Sequence, residues 1–180
     1  MRDDSAMPTE PTLTLRAARV DDIPALGRIQ RDADARFVAA GHPELADDES
    51  IPDEVARRAI AAGRITVAEL DGALAGWVYV GRIDGEACLG QISVAVEYGR
   101  RGVGSALVRA VIERARADGE ASIVLNTQGD VAWNRPWFER HGFAVVAREA
   151  AGEGLRAVER AQSADGLDWS TRVHMRLALR

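Results

Sequence analysis

Three glycines and two arginines between Tyr98 and Ser105, in the run Tyr-Gly-Arg-Arg-Gly-Val-Gly-Ser, are the residues of this chain best suited to holding a ligand. They stand where a β-branched apolar run, Ile92 to Val96, gives way to an amphipathic stretch, Val103 to Ala117. The spacing predicts a strand, a tight glycine turn and a helix. Unpaired backbone N–H groups in the first turn of such a helix sit at the positive end of its macrodipole, where they suit a phosphate or pyrophosphate. The chemistry to expect is binding of a phosphorylated cofactor.

Two other phosphate loops are excluded by what the run lacks. A P-loop counted from Gly99 reaches Gly104 but then needs Lys where the chain has Ser105, and the sequence contains no Lys at all. A dinucleotide fingerprint counted from Gly102 would need its third glycine at Leu107. What survives is Q/R-x-x-G-x-G, with Gly99 in the first slot and an arginine one place later, Arg100. The alternative for the same residues is a structural turn in which Gly102 and Gly104 serve only tight packing.

With that pattern the chain resembles the GNAT family of N-acetyltransferases, and the order of elements from Leu13 to Leu179 is similar to that family as well. The resemblance implies acetyl-CoA as cosubstrate, its pyrophosphate on the N–H groups of Arg101, Gly102, Val103, Gly104 and Ser105. The Arg100 and Arg101 side chains take the remaining charge. It implies that the strand Ile92 to Val96 splays from the strand Ser122 to Leu125, so that the pantetheine arm pairs with backbone at Val94 and Val96 like an added strand. Asn134 matches the family's asparagine beside the thioester.

Trp133 to Phe143 resembles a family motif ending in Y-E-x-x-G-F, with Phe138 where the tyrosine stands. The hydroxyl expected to protonate the departing thiolate is therefore missing, and water is left to serve, at a loss within the about 100- to 10,000-fold that general acid help is worth. An acceptor ammonium of pKa near 10.4 is neutral in only ~0.04% of molecules at pH 7, so it must first lose a proton. The family's carboxylate slot on the fourth strand falls at Gln91, which can orient water but not act as a base. Glu44, Gln91 and Asn126 are the catalytic candidates, with Asp34 and His42 beside Glu44 on the capping segment. The histidines His141 and His174 are expected to be structural, the first as an imidazolium at a helix end.

The elements that must position these groups follow from periodicity and punctuation. Leu13, Leu15 and Ala17 alternate as a first strand; Asp21-Asp22 caps a helix with an Ile23, Leu26, Ile29 stripe running to about Ala40. Gly41-His42-Pro43 breaks it, Glu44 to Glu49 is an acidic loop, and a second helix opens at Ile51-Pro52-Asp53 and ends near Gly63. Ile65 to Leu70 and Leu74 to Val80 form a hairpin about Asp71-Gly72, and Ala87 to Val96 completes a meander. The helix Val103 to Ala117 crosses over to a parallel strand, Ser122 to Leu125. A short helix from Trp133 to Arg140, a strand Phe143 to Val146, an exposed helix Leu155 to Ala164 and a last strand Val173 to Leu179 follow. The fold class is α/β, of the GNAT-type acyl-CoA N-acyltransferase fold: a central mixed, mostly antiparallel sheet of about seven strands flanked by helices.

Composition bounds the rest. The 180 residues, 47% apolar, suffice for one domain, here residues 12–180 after a flexible tail at 1–11. A net charge of −5 argues against a nucleic-acid partner, Cys88 is alone, no metal-ligand spacing appears, and no run is long enough for a membrane span. A cytoplasmic protein is expected, with a homodimer contact or a lid to be sought in Ala147 to Arg172. The acceptor is expected to be a small-molecule amine or a peptide N-terminal amine, attacked directly. Phe138 and Gln91 motivate an alternative, a non-catalytic acyl-CoA sensor or adaptor on the same fold. An ATP-dependent enzyme is a more distant one.

Overall fold

The computed structural model describes residues 11–45 and 51–179. Strands β1 (Leu13–Ala17), β2 (Ile65–Leu70), β3 (Ala73–Ile83), β4 (Glu86–Val94), β5 (Ser122–Gln128), β6 (Ala144–Val145) and β7 (Arg172–Ala178) form one sheet. Its order is β1-β2-β3-β4-β5-β7-β6, antiparallel throughout except for the parallel pair β4 and β5. Helices α1 (Ile23–Ala39), α2 (Asp53–Ala61), α3 (Val103–Ala117), α4 (Arg135–Arg140) and α5 (Glu153–Ala164) flank it. The expected mixed sheet of seven strands is the one observed.

Alternation along the strands divides the core between the two faces. On one face α3 buries Val103, Leu107, Val108 and Val111 against Val78, Leu89, Ile123, Leu125 and Met175, with Phe138 of α4 and Phe143 closing the end. On the other face α1 and α2 set Leu26, Ile29 and Ala59 on Val67 and Trp77, whose indole N–H donates to the Leu26 carbonyl at 3.0 Å. Trp77 is fully buried in that core. Leu155 of α5 packs beside them on Cys88, Val124 and Ala151. Helix α5 is largely exposed, as expected, and one fully buried leucine anchors it.

Three boundaries differ from the sequence expectation for local reasons. The Asp22 side chain makes no capping bond to α1; it accepts the Arg19 N–H at 2.7 Å and two bonds from the Arg16 guanidinium, so it ties β1 to the helix start. Strand β4 ends at Val94 rather than Val96, because residues 96–98 turn as a short 3-10 helix. The hairpin at Asp71-Gly72 forms as expected, both residues having positive φ (54° and 81°). Within the acidic loop expected at Glu44 to Glu49, residues 43–45 form a short 3-10 turn, and residues 46–49 lie outside the described residues, as does most of the expected N-terminal tail.

Candidate functional site

The glycine turn takes the conformation its composition requires. Gly102 caps α3 in the left-handed region at φ +85°, preceded by Arg100 at φ +59°. The helix's first backbone bond runs from the Ala106 N–H to the Gly102 carbonyl at 2.9 Å. The amides of Val103, Gly104 and Ser105 precede that ladder and point out of the helix end. Gly104 has a different reason to be glycine: a Cβ there would stand 3.2 Å from Trp137 Cζ2 and 3.6 Å from Val94 Cγ2. Arg100, Arg101 and Gly102 are exposed, with the Arg101 guanidinium 3.6 Å from Asp71 and 5.7 Å above the Tyr98 ring. A diphosphate would meet open amides and two cations there.

Immediately before this turn the sheet opens. The parallel strands pair only at Ala87 with Ile123 and at Cys88 with Val124, near their starts. Glu86 pins that end, accepting bonds from the Ser122 hydroxyl and, at 2.9 Å each, from Nε and a terminal nitrogen of Arg176. Beyond it β4 carries a bulge. Tyr79 pairs with Gln91 but Val80 with Leu89, so Gly90 is the extra residue, and a Cβ on it would come within 2.8 Å of the Tyr79 ring. The insertion lets Leu89 and Ile92, three positions apart, both pack toward α3. Past the bulge β4 and β5 diverge and leave a cleft of about 190 Å³. Its walls are Leu89 to Ile92 on one side and Leu125 to Gln128 on the other.

This pairing of a splayed parallel strand pair with a glycine-capped crossover helix coincides with a family match. The profile of the Acetyltransferase (GNAT) family fits residues 28–143, from within α1 through α4. The chain belongs to that family. Solved structures with the same fold include N-acetylglutamate synthase from Neisseria gonorrhoeae complexed with coenzyme A and N-acetyl-glutamate. It is 18% identical, with a TM-score of 0.70 over 94% of this chain and 35% of that one. The present chain therefore spans about a third of that protein. PaiA N-acetyltransferase from Thermoplasma acidophilum in complex with coenzyme A is 14% identical, with a TM-score of 0.66 over 93% and 99% of the two chains. A ribosomal-protein alanine N-acetyltransferase from Escherichia coli is 18% identical, with a TM-score of 0.65 over 93% and 94%.

In this GNAT chain the residues singled out from sequence fall into two groups. Gln91, Asn126, Asn134, Phe138 and Asp34 all line the cleft. The Gln91 side-chain amide donates to Ser93 Oγ at 2.9 Å, and Asn126 Oδ1 accepts from the Arg172 guanidinium at 2.5 Å. Asn134, at the start of α4, is buried and donates to Thr127 Oγ1 at 2.6 Å, so it fixes the short helix to β5. Phe138 is 4% exposed, with its ring against Trp137 and Phe143. Val94 sits at the end of β4 beside Gly104. Val96 differs from expectation: it lies beyond the strand, and its N–H is committed to Asp32 Oδ2 of α1 at 2.6 Å.

Glu44 stands apart from the cleft, where Leu45 is the residue of that turn on the wall. Its carboxylate accepts from His42 Nδ1 at 2.9 Å, while His42 Nε2 lies 3.2 Å from Asp130 on the loop after β5. The bond to Glu44, opposed by burial and aided by Asp130, raises the His42 pKa above its ordinary value. Glu44 is correspondingly lowered, first by its own backbone amide and then by His42, which weakens it as a base. The other two histidines go the opposite way. Burial lowers His141, with Arg109 and Arg140 adding to the effect, which disfavours the expected imidazolium at that helix end; its Nε2 lies 3.3 Å from Ser105 Oγ. Burial lowers His174 too, beneath the Trp169 ring at 4.5 Å.

Reading the chain alone does not reach several residues of the cleft: Gln30, Thr127, Gln128, Gln162 and Arg172. They come from α1, β5, α5 and β7, and only the folded sheet gathers them. Gly90 left a trace, a glycine inside a β-rich run, which is the usual mark of a bulge. Among the described residues no helix is long and apolar enough to cross a membrane, and no group of three metal-binding side chains gathers.

Proposed function

We propose that this chain transfers the acetyl group of acetyl-CoA to the primary amine of an acceptor by direct attack on the thioester. The observation that carries the reading is the continuity of β4 with the turn. One strand edge freed by the splay runs straight into a helix end whose first amides lack helix partners, giving a pantetheine and a diphosphate adjoining places. The residues fit the cosubstrate: Val103, Gly104 and Ser105 supply N–H groups, Arg100 and Arg101 supply charge, and Val94 offers backbone beside the thioester. In the reaction the acceptor nitrogen bonds to the carbonyl carbon, the C–S bond breaks, and CoA leaves as a thiolate that takes its proton from water.

The chain's own part is positioning. Backbone N–H groups of β4 polarise the carbonyl. Gln91, held toward Ser93, and Asn126, held by Arg172, orient the acceptor or the water that removes its proton. Asp34 is the carboxylate nearest that task, since it lines the cleft and Glu44 stands outside it. Phe138 favours one second reading, an acyl-CoA-binding adaptor without turnover. Thiol release from acetyl-CoA over a panel of amines separates the two. The transferase reading expects acceptor-dependent release, whereas saturable CoA binding with no release from any amine would support the adaptor.

A further inference from the structure

Of the three histidines, His141 borders the glycine turn. Its Nε2 lies 3.3 Å from the hydroxyl of Ser105, in the first turn of α3. Its ring meets Trp137 edge to face, centroids 4.7 Å apart at 69°, and Trp137 in turn crowds Gly104. Ser105 therefore offers its amide to the turn and its hydroxyl to His141. The C-terminal end of α4 by itself favours a charged ring. Burial is the first effect against it, and the charged groups that bear on the ring among the described residues, Arg109 of α3 and Arg140 of α4, oppose it further.

The two protonation states of that ring make opposite demands on Ser105. When the ring is neutral with its proton on Nδ1, Nε2 accepts from the Ser105 hydroxyl and draws that donor away from the turn. When the ring is charged, Nε2–H donates to Ser105 Oγ, and the hydroxyl proton is released to another acceptor. A diphosphate on the amides of Val103, Gly104 and Ser105 would supply that acceptor. Its negative charges would also offset Arg109 and Arg140 and favour the proton on the ring. On the reading that the turn holds acetyl-CoA, we infer that His141 is a titrating partner of the cosubstrate: it takes up a proton as the diphosphate binds, and its Nε2–H turns the Ser105 hydroxyl onto a phosphate oxygen. Binding is then coupled to pH. The free ring titrates below the ordinary 6.5 and the bound ring higher, so affinity rises as pH falls through the bound value and levels off below the free one.

The test titrates the full chain by calorimetry with CoA and with dephospho-CoA, in buffers of different ionisation heat, so that the slope of observed heat against buffer heat counts the protons taken up. Dephospho-CoA keeps the diphosphate but lacks the 3′-phosphate monoester, whose own second pKa of about 6 would add to the count. Wild type should take up about half a proton per dephospho-CoA near pH 6.5. Its affinity should rise about 3- to 10-fold from pH 7.5 to pH 5.5, one unit of pKa shift being worth tenfold. His141→Gln keeps a side-chain N–H that can donate to Ser105 but cannot titrate. In a variant whose melting temperature reports that it is folded, the uptake should vanish and the affinity should lose that pH dependence. The histidine ring C–H signals of wild type, followed by NMR, give an answer that needs no variant: one of the rings that titrate low should move to higher pH when dephospho-CoA saturates the protein. Binding without proton uptake in wild type, or uptake undiminished in His141→Gln, would overturn the inference and leave the cosubstrate reading standing. Failure of either nucleotide to bind would overturn both.

Discussion

Gly102 and Gly104 are glycines for separate reasons, and the difference yields a clean experiment. Gly102 needs a positive φ, whereas Gly104 has ordinary helical geometry and is crowded by Trp137. Gly104→Ala adds a methyl that Trp137 can accommodate by a shift of a few tenths of an ångström, so CoA affinity should fall only a few-fold, or under about 1 kcal/mol. Gly104→Asp sets a carboxylate at the diphosphate position and should weaken CoA by about 30-fold or more, equivalent to ~2 kcal/mol. Phe138→Tyr probes the missing acid. It should raise kcat toward the about 100-fold end of general acid catalysis while lowering the melting temperature, since a hydroxyl among Trp137, Phe143 and Leu125 loses water without a sure partner. Steady-state kinetics and a thermal melt report both. The turn was legible because glycine and arginine carry its chemistry in eight consecutive residues. The far wall of the cleft was not, since Gln30, Gln162 and Arg172 are scattered along the sequence and line one cleft only in the folded sheet.

Strand β4 is the element on which the site depends, and its bulge is where it is vulnerable. Gly90→Val would drive side-chain atoms into the Tyr79 ring. It should destabilise the fold by about 1–3 kcal/mol and reduce CoA affinity in molecules that remain folded, measurable by chemical denaturation and calorimetry. The meander, the crossover helix α3 and the parallel β5 were all readable from turn dipeptides and periodicity. The end of β4 was not: Val96 is as β-prone as its neighbours, and what stops the strand is a tertiary bond from its N–H to Asp32. A second element, the segment after α1, is clasped to the loop after β5. His42 bridges Glu44 and Asp130 with Asp168 nearby, and the Phe37 and Trp133 rings lie 4.8 Å apart beneath Arg36. The folded His42 pKa is raised, so its contribution is complete below the unfolded value of about 6.5 and is lost as pH rises through the folded value. His141 and His174 have the opposite sign, which makes the difference between wild type and His42→Asn the informative quantity. That difference should be about 1 kcal/mol or less, given the half-exposed carboxylates, greatest near pH 6 and vanishing at higher pH in denaturation curves.

The whole molecule is a sheet closed at one end and open at the other, with the ion cluster of Glu86, Ser122 and Arg176 at the closed end. Burial alone would raise the Glu86 carboxyl; the bonds from Arg176 and Ser122 overcome it and hold the group below its ordinary value. Its stabilisation is therefore present above the unfolded carboxylate range and lost as pH falls through the lower folded value. Glu86→Gln should cost about 1 kcal/mol at pH 7, and the gap to wild type should close in acid denaturation. Pairing order within such a sheet is not written in local periodicity, but the sequence of turns and one crossover left few topologies, and the family's arrangement was among them. The helix at 153–164 reads as exposed in the sequence and is largely so in the fold, with a single leucine as its anchor. The most direct test of the central claim is a calorimetric titration of CoA into wild type and Gly104→Asp. Saturable one-site binding in the wild type, with the heat largely abolished in the variant, is the predicted result; equal affinity in the two proteins would contradict the placement of the diphosphate on the first turn of α3.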